Sequence, residues 1–111
     1  MIIKLSPSRR DDTLTAVKTG SVLTLNGEDF DLSPMGDGDT LPATAITSQW
    51  FAADVDRVGT ELIVTLLLPL PWNYSQEQAF PVDLVDVPDG PVMFPQPLPE
   101  NLAGGEVEVS E

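Results

Sequence analysis

Asn26-Gly27 sits between two short runs that alternate apolar and polar residues, Val22–Leu25 and Glu28–Leu32. A two-residue type I′ hairpin turn needs positive φ at both central positions, and asparagine followed by glycine satisfies this at little steric cost. The turn dictates the register, pairing Leu25 with Glu28 and Leu23 with Phe30. One face then carries Leu23, Leu25, Phe30 and Leu32, with Glu28 at the wet turn end. Thr24, Asp29 and Asp31 face water. The acidic residues fall where a sheet with one buried face puts them.

The same punctuation recurs along the chain. Apolar or β-branched runs alternate with Gly, Pro, Asn and Asp clusters roughly every eight to twelve residues, the spacing of an all-β domain built as a small antiparallel sandwich or barrel. Ile2 to Leu5 reads as a strand ended by Ser6-Pro7, and a charged loop, Ser8 to Asp12, leads into a strand over Leu14 to Lys18. Thr19-Gly20 turns the chain into the Asn26-Gly27 hairpin. The breakers from Ser33 to Pro42 exclude regular structure there. Ala45 to Phe51 reads as a strand, with one helical turn after Pro42 as the alternative. Val55–Val58 and Glu61–Leu68 form a second hairpin around Gly59-Thr60, which sets Val55 and Arg57 on one face with Leu62, Val64 and Leu66. The Arg57 stem lies over apolar surface there or its head pairs with a carboxylate. Pro69 to Pro81 is a long aromatic connection, packed as an Ω-type loop or used in binding. Val82 to Val87 reads as the last major strand, and Pro88 to Pro91 turns into Val92-Met93-Phe94. The domain spans residues 1–95 and its core draws on Phe30, Trp50, Phe51, Phe80 and Phe94. Residues 96–111 read as a flexible acidic tail in which Val107 and Val109 alternate with glutamates.

The chemistry open to this fold is narrow. Among 111 residues there is no histidine and no cysteine, so the commonest proton shuttle, the thiol nucleophile and the preferred zinc ligands are missing. A serine nucleophile has no imidazole partner, and no Gly-rich phosphate motif is present. Asp37-Gly38-Asp39 has the look of a calcium-loop fragment, but Leu41-Pro42 interrupts the ligand series and a solvated turn is the simpler reading. Glycoside hydrolysis needs two carboxylates roughly 5–9.5 Å apart in a cleft, and Asp29/Asp31 and Asp54/Asp56 each place two on one strand face. Their alternation with apolar residues fits solvent-facing positions better. The expectation is a protein without enzymatic activity and without cofactor or metal.

Eighteen acidic against five basic side chains give a net charge of −13. Residues 1–18 carry +2, from Lys4, Arg9, Arg10 and Lys18 against Asp11 and Asp12; residues 19–111 carry −15. Such a surface repels phosphates and anionic lipids, which excludes direct nucleic-acid or membrane binding and directs attention to a protein partner or a like subunit. Solubility alone also accounts for it. No apolar run nears the roughly 20 residues of a membrane span, and the N-terminus breaks at Ser6-Pro7 before a signal-peptide core forms. The expected location is the cytoplasm of a bacterial host, or a virion.

Four residues stand out as candidates for partner binding. Trp72 and Tyr74 offer rigid aromatic area in the long loop; the alternative is that they fold back over one end of the core. A sugar-binding role requires both rings exposed together over a groove. Arg9 and Arg10 form the only basic pair, and either close a salt-bridged turn or dock onto the acidic surface of another subunit.

Met1 to Asp12 (MIIKLSPSRRDD), Val22 to Pro34 (VLTLNGEDFDLSP), Ala79-Phe80-Pro81 and Asp89-Gly90-Pro91 resemble, as a set, a family of small bacteriophage and prophage proteins. The resemblance runs to about Pro99. It implies a component encoded among phage structural genes near those of the tail, acting in tail structure or assembly, with no catalytic residues to carry over. The other class of function compatible with the charge is a DNA mimic that occupies a host DNA-binding enzyme.

Overall fold

The computed structural model describes residues 1–99, and they form two four-stranded sheets that enclose one apolar core. The first sheet holds β1 (Ile2–Arg9), β5 (Thr40–Leu41), β6 (Val55–Val58) and β7 (Glu61–Leu70) in the order β1-β7-β6-β5. The second holds β2 (Ala16–Thr19), β3 (Val22–Leu25), β4 (Glu28–Asp31) and β8 (Gly90–Pro91) in the order β4-β3-β2-β8. All pairings are antiparallel except β1 with β7, which run parallel from Ile2–Ile63 to Arg9–Leu70. The all-β architecture is the one the breaker spacing indicates.

The Asn26-Gly27 turn forms as its chemistry requires. Asn26 and Gly27 sit at φ 49° and 86°, and Leu25–Glu28 and Leu23–Phe30 are paired. Leu23, Leu25 and Leu32 are buried, while Asp29 and Asp31 are exposed. Asn26 also does something the turn does not ask of it. Its Oδ1 accepts from the Thr15 amide at 2.7 Å and from the Thr15 hydroxyl at 3.1 Å, and its Nδ2 donates to the Thr13 carbonyl at 3.1 Å. The hairpin tip thereby anchors the approach to β2. Asn26→Ala should cost about 1–3 kcal/mol, by removing these bonds and straining a left-handed position. Asn26→Gly, which keeps the backbone freedom, should cost less; urea denaturation of the two variants checks the order.

The second hairpin also has the expected register, with Val58 paired to Glu61 and Arg57 to Leu62. Val55, Leu62, Val64 and Leu66 are buried on one face. Arg57 donates from Nε to the Gly59 carbonyl at 3.2 Å, which holds its head at the turn.

Four expectations need correction. β1 does not stop at Ser6-Pro7 but continues to Arg9. It is an edge strand on which the Ile3 amide points away from β7, toward Leu84. Pro7 shares that parity, so its missing donor costs no ladder bond. Ala45 to Phe51 is not a strand: Pro42 opens a single 3-10 turn at Ala43–Ala45, and Phe51 meets Leu66 in one isolated bridge. Thr40–Leu41, inside the supposed irregular loop, pairs with β6 as β5. Val82–Val87 makes one bridge, Leu84 to Ile3, in place of a strand. Asp86 turns left-handed at φ 51°, Pro7 of β1 offers no outward donor, and prolines at 81 and 88 bound the segment.

The core joins Ile3, Val55, Leu62, Val64 and Leu66 of one sheet to Ala16, Leu23 and Leu25 of the other, with Leu14, Leu32, Trp50, Phe51 and Val92 between. Phe30 meets Phe51 edge to face, with ring centroids 5.1 Å apart. Phe80, assigned to the core from sequence, is exposed. After Phe94 the chain stays attached: Ser75 Oγ donates to the Gln96 carbonyl, and Leu98 exchanges hydrogen bonds with Asn73. The expectations for residues 100–111, including the alternation at Val107 and Val109, lie outside the described residues.

Candidate interaction surface

Residues 80–94 strap the open edges of both sheets. Leu84 exchanges two 2.8 Å backbone hydrogen bonds with Ile3 at the β1 edge. Gly90–Pro91 then pairs with β2, and the Val92 amide donates to the Ala16 carbonyl at 2.9 Å. Between these moorings the backbone is not a regular strand, so neighbouring apolar side chains need not alternate inward. Val92 is buried and Leu84 and Phe94 are half-buried, whereas Phe80, Val82, Val85 and Met93 are 77, 79, 62 and 79% exposed. An isolated exposed apolar residue is ordinary; four on one strap form a patch of the kind that marks interaction sites.

Two open grooves adjoin on this patch. One, of about 320 Å³, is lined by Phe80, Val82, Leu84, Met93, Phe94 and Glu77 among others. The other, of about 250 Å³, runs along Leu84, Val85, Val87, Pro91 and Met93. Leu84 and Met93 belong to both. Each is at or below the low end of the roughly 300–1,000 Å³ typical of small-molecule sites, a size suited to single side chains of a partner.

The strap is held at its far end by an ionic clasp. Asp89 Oδ1 accepts from Lys18 Nζ at 2.6 Å and from the Gly20 amide at 3.1 Å. The bond from Lys18, then the Gly20 amide and the lysine's charge, hold the Asp89 carboxyl below its ordinary value. A group with a depressed folded-state pKa contributes stability above its unfolded value and loses it as pH falls through the folded one. The clasp should therefore persist below the ordinary aspartate range and open only under more acid conditions. Carboxyl chemical shifts followed through an acid titration check this; an Asp89 midpoint at or above that of an unperturbed aspartate would contradict it.

The candidates from sequence lie elsewhere. Trp72 and Tyr74 are 66 and 46% exposed in the turn between β7 and α1 (Gln76–Ala79), and neither lines the grooves described above. Their backbone is fixed by the Tyr74 amide on the Pro71 carbonyl and by the Asn73–Leu98 bonds. Their rings do not cover the core. Arg9 reaches Asp11 at 2.8 Å and the Leu70 carbonyl at 3.1 Å. Arg10 pairs with Asp12, bonds Gln49 Oε1 at 2.9 Å and lies 5.0 Å from the centre of the Trp50 ring. Both arginines thus take the salt-bridged-turn alternative, tying the end of β1 to the core. Arg9 and Arg10 both bond the Leu70 carbonyl, two residues before Trp72, so the end of β1 adjoins the start of the turn that carries Trp72 and Tyr74.

The carboxylate pairs are occupied locally. Asp29 and Asp56 accept from Thr24 and Thr40 hydroxyls, and Asp31 and Asp54 from the Ser33 and Ala43 amides. Asp37 and Asp39 cap the Gly59 and Gly36 amides at 2.7 Å each. Among the described residues no cluster of three metal-ligating side chains forms and no helix is long and apolar enough to cross a membrane.

The exposed strap was missed in the sequence because its alternation mimics a half-buried strand. The signal available is the spacing of Pro81, Pro88 and Pro91 through those fifteen residues, with Pro95 directly after them, too dense for continuous pairing. Comparison with family models, with curated proteins and with solved structures finds no match to this chain.

Proposed function

We propose that this protein is a non-enzymatic binding module of a phage or prophage, acting by protein–protein contact in tail structure or assembly. The observation that carries the contact reading is the contiguous apolar surface of Phe80, Val82, Val85 and Met93 on a strap moored to both sheets. Exposing that much apolar area costs solubility, a cost that an interface offsets when covered. The tail assignment rests on the resemblance of Met1–Asp12, Val22–Pro34 and the Ala79-Phe80-Pro81 and Asp89-Gly90-Pro91 segments to small phage proteins. The aspartates that bond their own backbone and threonines are less suited to standing in for phosphate rows, so tail assembly is preferred to DNA mimicry.

The test is affinity capture from a lysate carrying the intact prophage, with the wild-type chain and with a Val82→Lys/Met93→Lys variant. Recovery of virion tail proteins by the wild type and their loss with the variant is the expected result. Recovery of only a host DNA-binding enzyme, by both chains and with steep salt dependence, would overturn the proposal.

A further inference from the structure

Resting on the contact reading above, we infer the chemistry of the partner: a basic protein segment that seats two apolar side chains in the adjoining grooves and sets lysine or arginine against their rim. Residues 77–95 contain Glu77, Asp83, Asp86 and Asp89 and not one basic side chain. Glu77 lines the larger groove and Asp83 the smaller. Asp89 is paired with Lys18, which leaves Glu77 and Asp83 as exposed acids at the edges of the apolar floor, with Asp86 exposed on the same strap. The floor supplies the apolar contact area, and the rim selects the sign of charge that approaches.

The same charges argue against two other occupants. A second copy meeting this face about a two-fold axis would set the patch against itself, bringing like carboxylates together in a chain of net charge −13. Residues 100–111 carry Glu100, Glu106, Glu108 and Glu111 and no basic residue, so they too share the rim's sign. The basic residues Lys4, Arg9, Arg10 and Arg57 all lie outside residues 77–95, and both arginines of the Arg9-Arg10 pair are spent on internal bonds. A two-fold contact between copies therefore brings no basic side chain of residues 77–95 to the rim, and the complementary charge is placed on another protein.

The test is a titration of the isotopically labelled full chain, followed by amide chemical shifts, with three synthetic peptides: one with two leucines flanked by lysines, one with the leucines replaced by serine, and one with the lysines replaced by glutamate. The lysine–leucine peptide should shift the amides of Phe80, Val82, Val85 and Met93. Its affinity should fall severalfold between low and high salt. The serine and glutamate peptides should each bind at least about tenfold more weakly, and Met93→Lys should abolish the shifts while leaving the rest of the spectrum intact. If the glutamate peptide binds the same amides as well as the lysine peptide, the charge inference is overturned and the contact surface stands. If the lysine–leucine peptide shifts only Glu28–Asp31 or other acidic strands, or nothing, both are overturned.

Discussion

Leu66→Ala is expected to lower the stability of this domain by about 2–5 kcal/mol, the range for truncating a buried leucine whose surroundings cannot collapse. Leu66 is fully buried on β7, paired with Leu5 of β1 on one side and bridged to Phe51 on the other. The flanking Leu67 and Ala52 amides donate to Trp50 and Thr65, so the backbone on that side is pinned and cannot close over a cavity. Against a total stability of about 5–15 kcal/mol for a natural domain, such a loss is a large fraction. It should depress the thermal midpoint by on the order of 10 °C or more. Leu66→Met, which preserves volume, should cost less than about 1.5 kcal/mol. Thermal and urea denaturation followed by circular dichroism measure both. A loss under 1 kcal/mol for the alanine variant would contradict a tightly packed junction between β1, β7 and the Phe51 segment.

Phe80→Ala should do the reverse, leaving stability within about 0.5 kcal/mol of wild type while weakening partner binding by roughly 30-fold. Phe80 is 77% exposed and makes little contribution to the core; it caps α1 through its backbone amide on the Gln76 carbonyl, which alanine retains, and truncating an exposed side chain is close to neutral for folding. At an interface the accounting changes. Aromatic anchors near the centre of a contact cost about 2 kcal/mol or more when truncated, because their desolvated pocket is left unfilled, and 1.4 kcal/mol is a factor of ten in affinity. Phe80 borders a groove shared with Val82 and Met93, so the three act as one surface and their truncations should not add. Trp72→Ala, on the turn after β7, should leave that affinity near wild type. Calorimetric titration with the captured partner, beside denaturation of the free variants, separates the two effects.

What could be read in the sequence is what depends on local chemistry. Asn26-Gly27 and Gly59-Thr60 carry their registers with them because a two-residue turn determines which residues face each other, and both hairpins have the pairing inferred from them. The acidic residues on the outer faces followed from that register. What could not be read is what depends on a distant partner. The continuation of β1 through Pro7 requires knowing that the Pro7 parity faces the sheet edge, and the parallel match with β7 joins residues about sixty positions apart. Val82–Val87 has the alternation of a strand, but at the β1 edge it makes a single bridge, so Val82 and Val85 turn outward while Val87 packs against the core. The exposed apolar surface is hard to read for that reason: it includes residues whose pattern promises burial. Trp72 and Tyr74 are exposed, as aromatic residues in a long loop suggest, but the grooves lie on the strap beyond α1.

Hydrogen exchange of the complex with the captured partner, compared with the free protein, addresses the central claim directly. Contact through the strap predicts slower exchange at Phe80 to Met93, with little change at Trp72 and Tyr74 and none on the β3–β4 hairpin. Slowed exchange confined to the hairpin or to the Trp72–Tyr74 turn, with Phe80 to Met93 unchanged, would contradict it.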